Sequence, residues 1–455
     1  FHRGWAMQES DGAAGPGPER RAAMGEDETR AAADGAPAAP AFEPLLYVHA
    51  VVVSALTAVV LMLWLALFYA VETALWENGF VESNRWMFPV ICLPFSLAVG
   101  LLVKHLKAPT AMTESLTDSI AGDTSRIEWR RFPVSALQAL VSLFSGAAVG
   151  PEGGLGLLAS QVAAWYGHVL RIPAGRRPRL VYAGVASAYN GLLQNPLFTG
   201  VLGVELSETK AAGRTSLPAN LIGGAVGYAV FLALGMPSLA GILGLEPVKH
   251  IRALDVLLIL VTALLGIALA AVTAVLFKVA TRVLGRFRDD VERALAAGVV
   301  FSLAGAAAPI LMFSGESQVQ TVVEHPTRYG AALLLVMALA KLALLAVAFR
   351  GGFLGGAIFP SIFALVCVAL ALDLVLPAAD PTVLVAGMMV GFMVVMFRTP
   401  FMVILLTAFM LEASIDLLAL IVLAVAAVLI VSPLLQRAAA KQTAPAEAPG
   451  GRDAG

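Results

Sequence analysis

The chain has 455 residues, of which 59% are apolar and 13% charged, with a formal net charge of -1; its mean hydropathy is +0.84. This is the composition of a polytopic membrane protein, and the apolar runs that recur from Tyr47 almost to Gln436 leave no room for a soluble globular domain. The basic residues form no nucleic-acid surface: they gather in short connections, Arg171 to Arg179 and Arg282 to Arg293, which are candidate cytoplasmic loops.

A bilayer core of about 30 Å takes about 20 apolar residues per helix, so ten or more membrane helices are expected. Residues 1–43 are rich in Ala, Gly, Pro, Glu and Arg and are expected to be a disordered tail. They lack the apolar core of a signal peptide, and the start residue is expected at Met7 or Met24. Long apolar helices are then predicted at about Tyr47 to Tyr69 and Met87 to Val103. Past Lys107 the pattern breaks: Pro109 ends the helix, and Thr110 or Thr113 is a fair N-cap for a short helix carrying Glu114 and Asp118.

An apolar helix from Val134 to Val149 runs into Gly150-Pro151-Glu152-Gly153-Gly154, with a new helix expected from Leu155. A charge at bilayer depth costs about 2.5–3.5 kcal/mol or more. Two apolar halves interrupted by Gly and Pro mark a discontinuous membrane helix, tolerated where the broken backbone lines a cavity or is buried in protein. Its exposed N–H groups and its dipole favour an anion. Tyr182 to Gln194 follows, then Asn195-Pro196 opens a helix ending at Glu205. Helices are predicted at about Leu217 to Leu234 and Leu254 to Val283, and a polar interval Ser314 to Gln318 precedes Val319. The second break, Phe349 to Pro360, carries four glycines before the helix resumes toward Leu374. Residues 438–455 are expected to be a disordered tail with no cytosolic regulatory domain.

The two breaks fall about two hundred residues apart, one in each half, and each half has a Pro-opened helix ending in a carboxylate, Pro196 to Glu205 and Pro400 to Glu412. Paired interruptions of this kind point to a transporter binding site between inverted repeats, here about 44–235 and 250–437. For Glu205 and Glu412 taken alone, a helix-end charge is the simpler reading. Cys92 and Cys367 lie inside apolar runs and read as small core residues.

Taken together these residues resemble the CLC family of chloride channels and chloride/proton exchangers. Gly150 to Gly154 matches its G-(K/R)-E-G-P signature and Gly355-Gly356-Ala357-Ile358-Phe359-Pro360 its G-G-x-F-x-P signature. Asn195-Pro196-Leu197 leading to Glu205, Ser314-Gly315-Glu316 and Arg398-Thr399-Pro400 fall in family order. The resemblance implies an all-α polytopic membrane fold of two inverted repeats whose broken helices meet at the midplane. It further implies a homodimer in the plasma membrane, with a separate chloride pathway in each subunit and no cofactor or metal. Glu152 would be the gating glutamate, and Thr110, Gly153, Gly356, Ala357 and Ile358 would contact the anion. Glu205 is the candidate acid of a proton path.

The chain also departs from the family pattern. Pro151 replaces a basic residue, Gly154 a proline and Ile358 a phenylalanine. No Tyr occurs after Tyr329 to supply the family's anion-binding hydroxyl, and Leu435 falls near that place. Leu206 stands where many exchangers carry an inner glutamate. A voltage- or pH-gated channel and a proton antiporter both fit, as does a carrier of fluoride or nitrate. An intramembrane enzyme using Glu152 lacks support, since His49, His105, His168, His250 and His325 are scattered and no paired His-Glu spacing occurs.

Overall fold

The computed structural model describes residues 43–112, 127–193, 195, 197–198, 200–201, 205, 210–235, 241–248 and 250–443. The chain from His49 onward is one compact unit, and the unit ending at Val48 contributes the first turn of the first helix. Fifteen α-helices occur among the described residues. In the first half they are α1 Pro44–Trp76, α2 Gly79–Ser83, α3 Met87–Leu106, α4 Phe132–Phe144, α5 Glu152–Val169, α6 Arg177–Leu193 and α7 Lys210–Ala233. The second half contains α8 Ala253–Leu284, α9 Asp290–Ala307, α10 Gln318–Glu324, α11 Pro326–Gly351, α12 Ile358–Val375, α13 Pro381–Phe397, α14 Pro400–Met410 and α15 Ile415–Thr443.

Seven of these are long and apolar enough to cross a membrane: α1, α3, Ser216–Ala233 within α7, α8, α11, α12 and Ile415–Leu434 within α15. The expectation of ten or more counted segments that are in fact short. The predicted helix Val134 to Val149 is only the 13-residue α4, and α14 has 11 residues. Short helices survive at bilayer depth because their ends are buried in protein rather than in lipid.

The echo between the halves is closer in structure than in sequence. α5 and α12 each have 18 residues, and the helices that follow them, α6 and α13, each have 17. Close packing of small residues joins the layers. A Cβ on Gly391 would stand 1.9 Å from the Ala263 carbonyl oxygen where α13 meets α8, and one on Gly227 2.2 Å from that of Ser187 where α7 meets α6. Membrane helices have no hydrophobic drive to associate, so such backbone approaches are where their van der Waals attraction comes from. α13 is buried along nearly its whole length and forms the centre of the second half.

Two boundaries differ from expectation. α5 begins at Glu152 rather than Leu155, with Pro151 as its N-cap. α15 runs to Thr443, into the tail expected from residue 438, because Ala438-Ala439-Ala440 and Lys441-Gln442 are strong helix formers that continue the preceding turns. Residues 1–42 and 444–455, Glu114 and Asp118, Pro196 and Leu206 lie outside the described residues.

Candidate anion site

The site is built from backbone that has left helical geometry and had to find partners elsewhere. α4 ends at Phe144, and Gly146 turns the chain with φ of +74°, which glycine alone adopts at no steric cost. The buried segment that follows is satisfied by the other half of the molecule. Gly150 N–H donates to the Gly356 carbonyl at 3.0 Å, and Gly356 N–H donates back at 2.7 Å, an isolated antiparallel bridge between the two breaks. Nearby, Leu354 N–H donates to Ser142 Oγ at 3.0 Å, and the Gln138 side chain donates to the Gly352 carbonyl at 3.1 Å. Ala111 N–H donates to the Phe353 carbonyl at 3.0 Å. The stretch Phe353–Gly356 therefore ties the segment of Thr110, itself 8% exposed, to the segment of Glu152.

Glu152 is the first residue of α5 and is 2% exposed. Its Oε1 accepts from Ile358 N–H at 2.8 Å and from Phe359 N–H at 3.4 Å, the first two donors of α12. The carboxylate thus sits where two helix N-termini face each other, with the positive ends of both dipoles toward it. Among the described residues its Oε2 has no hydrogen-bond partner, and no basic side chain pairs with it. The carboxylate is thus held by main-chain N–H groups, the kind of donors that suit an anion.

Glycines make that approach feasible. A Cβ on Gly153 would stand 2.3 Å from the carbonyl carbon of Gly355, and one on Gly356 would stand 2.2 Å from Glu152 Cδ. Of the residues expected at the anion, Gly356 borders the carboxylate, Gly153 packs on the main chain of Gly355 and Gly356, Ile358 donates to Glu152, and Ala357 is the N-cap of α12. Phe359 supplies the second N–H donor.

The family model described as Voltage gated chloride channel matches residues 95–432, spanning both breaks. The chain belongs to that family. No curated protein sequence matches this CLC chain significantly. Among solved structures, a slow cyanobacterial Cl-/H+ antiporter aligns with a TM-score of 0.69 at 17% identity, covering 89% of this chain and 100% of its own. A CLC-type fluoride/proton antiporter aligns with a TM-score of 0.66 at 16% identity, covering 85% and 94%. A eukaryotic CLC transporter aligns at 0.63 and 14%, covering 86% and 71%. At these identities the likeness is one of fold, and with the family match it makes the CLC chain a multi-pass membrane protein of two inverted repeats.

Glu205 sits at the start of α14. Its two carboxylate oxygens accept from Phe401 N–H at 2.8 Å and Met402 N–H at 2.9 Å, in the first turn of α14. Thr399, the N-cap, makes no side-chain cap of its own, so a residue from the other half takes that role. α15 carries no tyrosine, and it is there that Leu435 lies.

Several polar groups around the site were not singled out from sequence. Lys341 is fully buried in α11, with Nζ donating to the carbonyls of Leu311, Met312 and Phe313 at 3.2, 2.8 and 2.8 Å, and standing 4.9 Å from the centre of the Phe363 ring. Tyr69 donates to Glu316 Oε1 at 3.3 Å, and Glu72, one turn further along α1, lines a small cleft with Val149, Pro151 and Phe313. Tyr189, 1% exposed, donates to the Glu152 main-chain carbonyl at 2.8 Å. The signal available for each was a polar residue interrupting an apolar helix, as Lys341 does in α11.

Proposed function

We propose that this CLC protein moves chloride across the membrane by a pathway gated by Glu152, with a proton on that carboxylate as the opening event. The observation that carries this reading is the carboxylate on the N–H groups of Ile358 and Phe359. Those donors can serve a carboxylate or a free anion, but not both at once. Neutral main-chain donors hold an anion weakly enough to release it. An ionised Glu152 competes for the seat, and protonation removes the charge that holds it there. The reading places chloride near Gly153, Gly356, Ala357 and Ile358 when Glu152 leaves, with Thr110 further along the path.

Support for chloride as substrate comes from the family description and from the antiporter among the similar structures. The fluoride/proton antiporter with the same fold keeps fluoride as the second reading. The same proposal includes a homodimer in the plasma membrane, one pathway per subunit, and Glu205 as a helix cap rather than a proton carrier. The deciding experiment is the reversal potential of purified protein in a planar bilayer under opposed chloride and proton gradients. A value displaced from the chloride equilibrium potential by the proton gradient is expected for coupled exchange, and a value indifferent to protons assigns a channel. Absence of any anion current or efflux from the reconstituted protein would overturn the proposal.

A further inference from the structure

Gly150, Gly153 and Gly154 surround Glu152 with residues of little intrinsic stiffness, so the position of its main chain depends on packing and hydrogen bonds from outside the segment. A gate that swings needs its main chain fixed, otherwise the carboxylate does not return to the same donors. One anchor is the Gly150–Gly356 bridge. The other is Tyr189 Oη, which donates to the Glu152 carbonyl at 2.8 Å from the neighbouring helix α6. Its ring is held in a fully buried position, so the hydroxyl is a fixed point. Room for it exists only because residue 156 is glycine: a Cβ there would stand 2.6 Å from Oη and 3.2 Å from Cε2 of the same ring. A glycine inside a helix is unfavourable, and here it admits the hydroxyl.

We propose that Tyr189 is the positioning residue that pins the main-chain pivot of Glu152, so that the carboxylate leaves and regains the Ile358 and Phe359 donors without displacement of its backbone. The inference rests on the reading of Glu152 as the gate. A buried phenol that merely satisfied its own hydrogen bond would affect stability alone. A pivot also sets how well the gate competes with anion, and so moves the pH profile.

The test uses the full chain reconstituted in liposomes, with chloride efflux followed over a pH series. Tyr189→Phe keeps the ring and removes the hydroxyl. It is expected to raise efflux at neutral pH about two- to tenfold, the range for loss of one hydrogen bond, and to shift the rise of flux toward higher pH. Gly156→Ala, with the tyrosine intact, forces the hydroxyl away and is expected to give the same phenotype. In the Glu152→Gln background neither change should alter efflux further. If Glu152→Gln flattens the profile while Tyr189→Phe and Gly156→Ala leave it unmoved, the pivot is wrong and the gate stands. An unmoved pH profile in Glu152→Gln overturns the gate reading and the pivot with it. Equal effects of Tyr189→Phe in the wild-type and Glu152→Gln backgrounds overturn the pivot too.

Discussion

Glu152 Oε1 lies 2.8 Å from the backbone nitrogen of Ile358, a contact between the first residue of α5 and the first residue of α12. It joins two corresponding helices of two inverted halves through one charge. When Glu152 is ionised, its charge satisfies the first two N–H groups of α12. When it is protonated, the attraction weakens and the two N–H groups can receive an anion. On the proposed gating, acid therefore opens the pathway and neutral or alkaline conditions close it. Chloride efflux should rise as pH falls, and Glu152→Gln should give a rate independent of pH and close to the wild-type acid rate. A liposome efflux series that keeps its wild-type steepness in Glu152→Gln would sink the assignment.

Gly356 and Gly153 should fail in different ways. The Cβ of Gly356→Ala meets Glu152 Cδ, Oε1 and Cγ at 2.2–2.4 Å, atoms of a side chain that can rotate away. The expected result is a folded protein with its gate pushed off the seat, seen as raised efflux at neutral pH. The Cβ of Gly153→Ala meets main-chain atoms of Gly355 and Gly356 at 2.3–2.5 Å, which cannot move without breaking the bridge. That change should cost about 1–3 kcal/mol in overpacking, visible as a lowered unfolding midpoint. Equal loss of stability in both variants would refute the distinction.

Both breaks were legible in the sequence because Gly and Pro interrupting an apolar helix around Glu152, and again before Pro360, are hard to accommodate in any span facing lipid. The start of α5 was not, since Gly153 and Gly154 are poor helix formers and pushed the expected start to Leu155. Tertiary packing overrides that propensity: Gly355 and Gly356 approach Gly153 so closely that no other residue fits. The pairing of Phe359 with Glu152 depended on where the first turn of α12 begins, a matter of one residue. The partners of Lys341 and Tyr189 are main-chain carbonyls brought near by the fold, and no periodicity announces them.

Glu205 should behave as a cap. Its oxygens satisfy the N–H groups of Phe401 and Met402, which the first turn of α14 leaves without helical partners. Glu205→Ala should therefore cost about 0.5–2 kcal/mol, as loss of a helix cap does. The reversal potential under opposed chloride and proton gradients should stay at its wild-type value in Glu205→Gln. A reversal potential that moves to the chloride equilibrium value, with the unfolding midpoint unchanged, would return Glu205 to the proton path.

Lys341 is a fully buried basic side chain in α11. Its ammonium group is fully buried and has no carboxylate partner among the described ion pairs; three carbonyls at the end of the Pro309–Leu311 turn hold it, with the face of Phe363 alongside. Because Phe363 belongs to α12, the lysine fastens the loop leading to Glu316 onto the helix whose N-terminus seats Glu152. Lys341→Met keeps most of the volume but leaves two buried acceptors and one half-buried acceptor without their donor. The loss should be about 3 kcal/mol or more, since each unsatisfied group carries its own desolvation cost. Thermal unfolding in detergent checks the stability. Efflux from the surviving fraction should show a gate that closes less completely at neutral pH, because the loop and α12 are no longer tied. A midpoint and a closed-state leak both equal to wild type would show that the carbonyls find other donors and that Lys341 holds nothing in place.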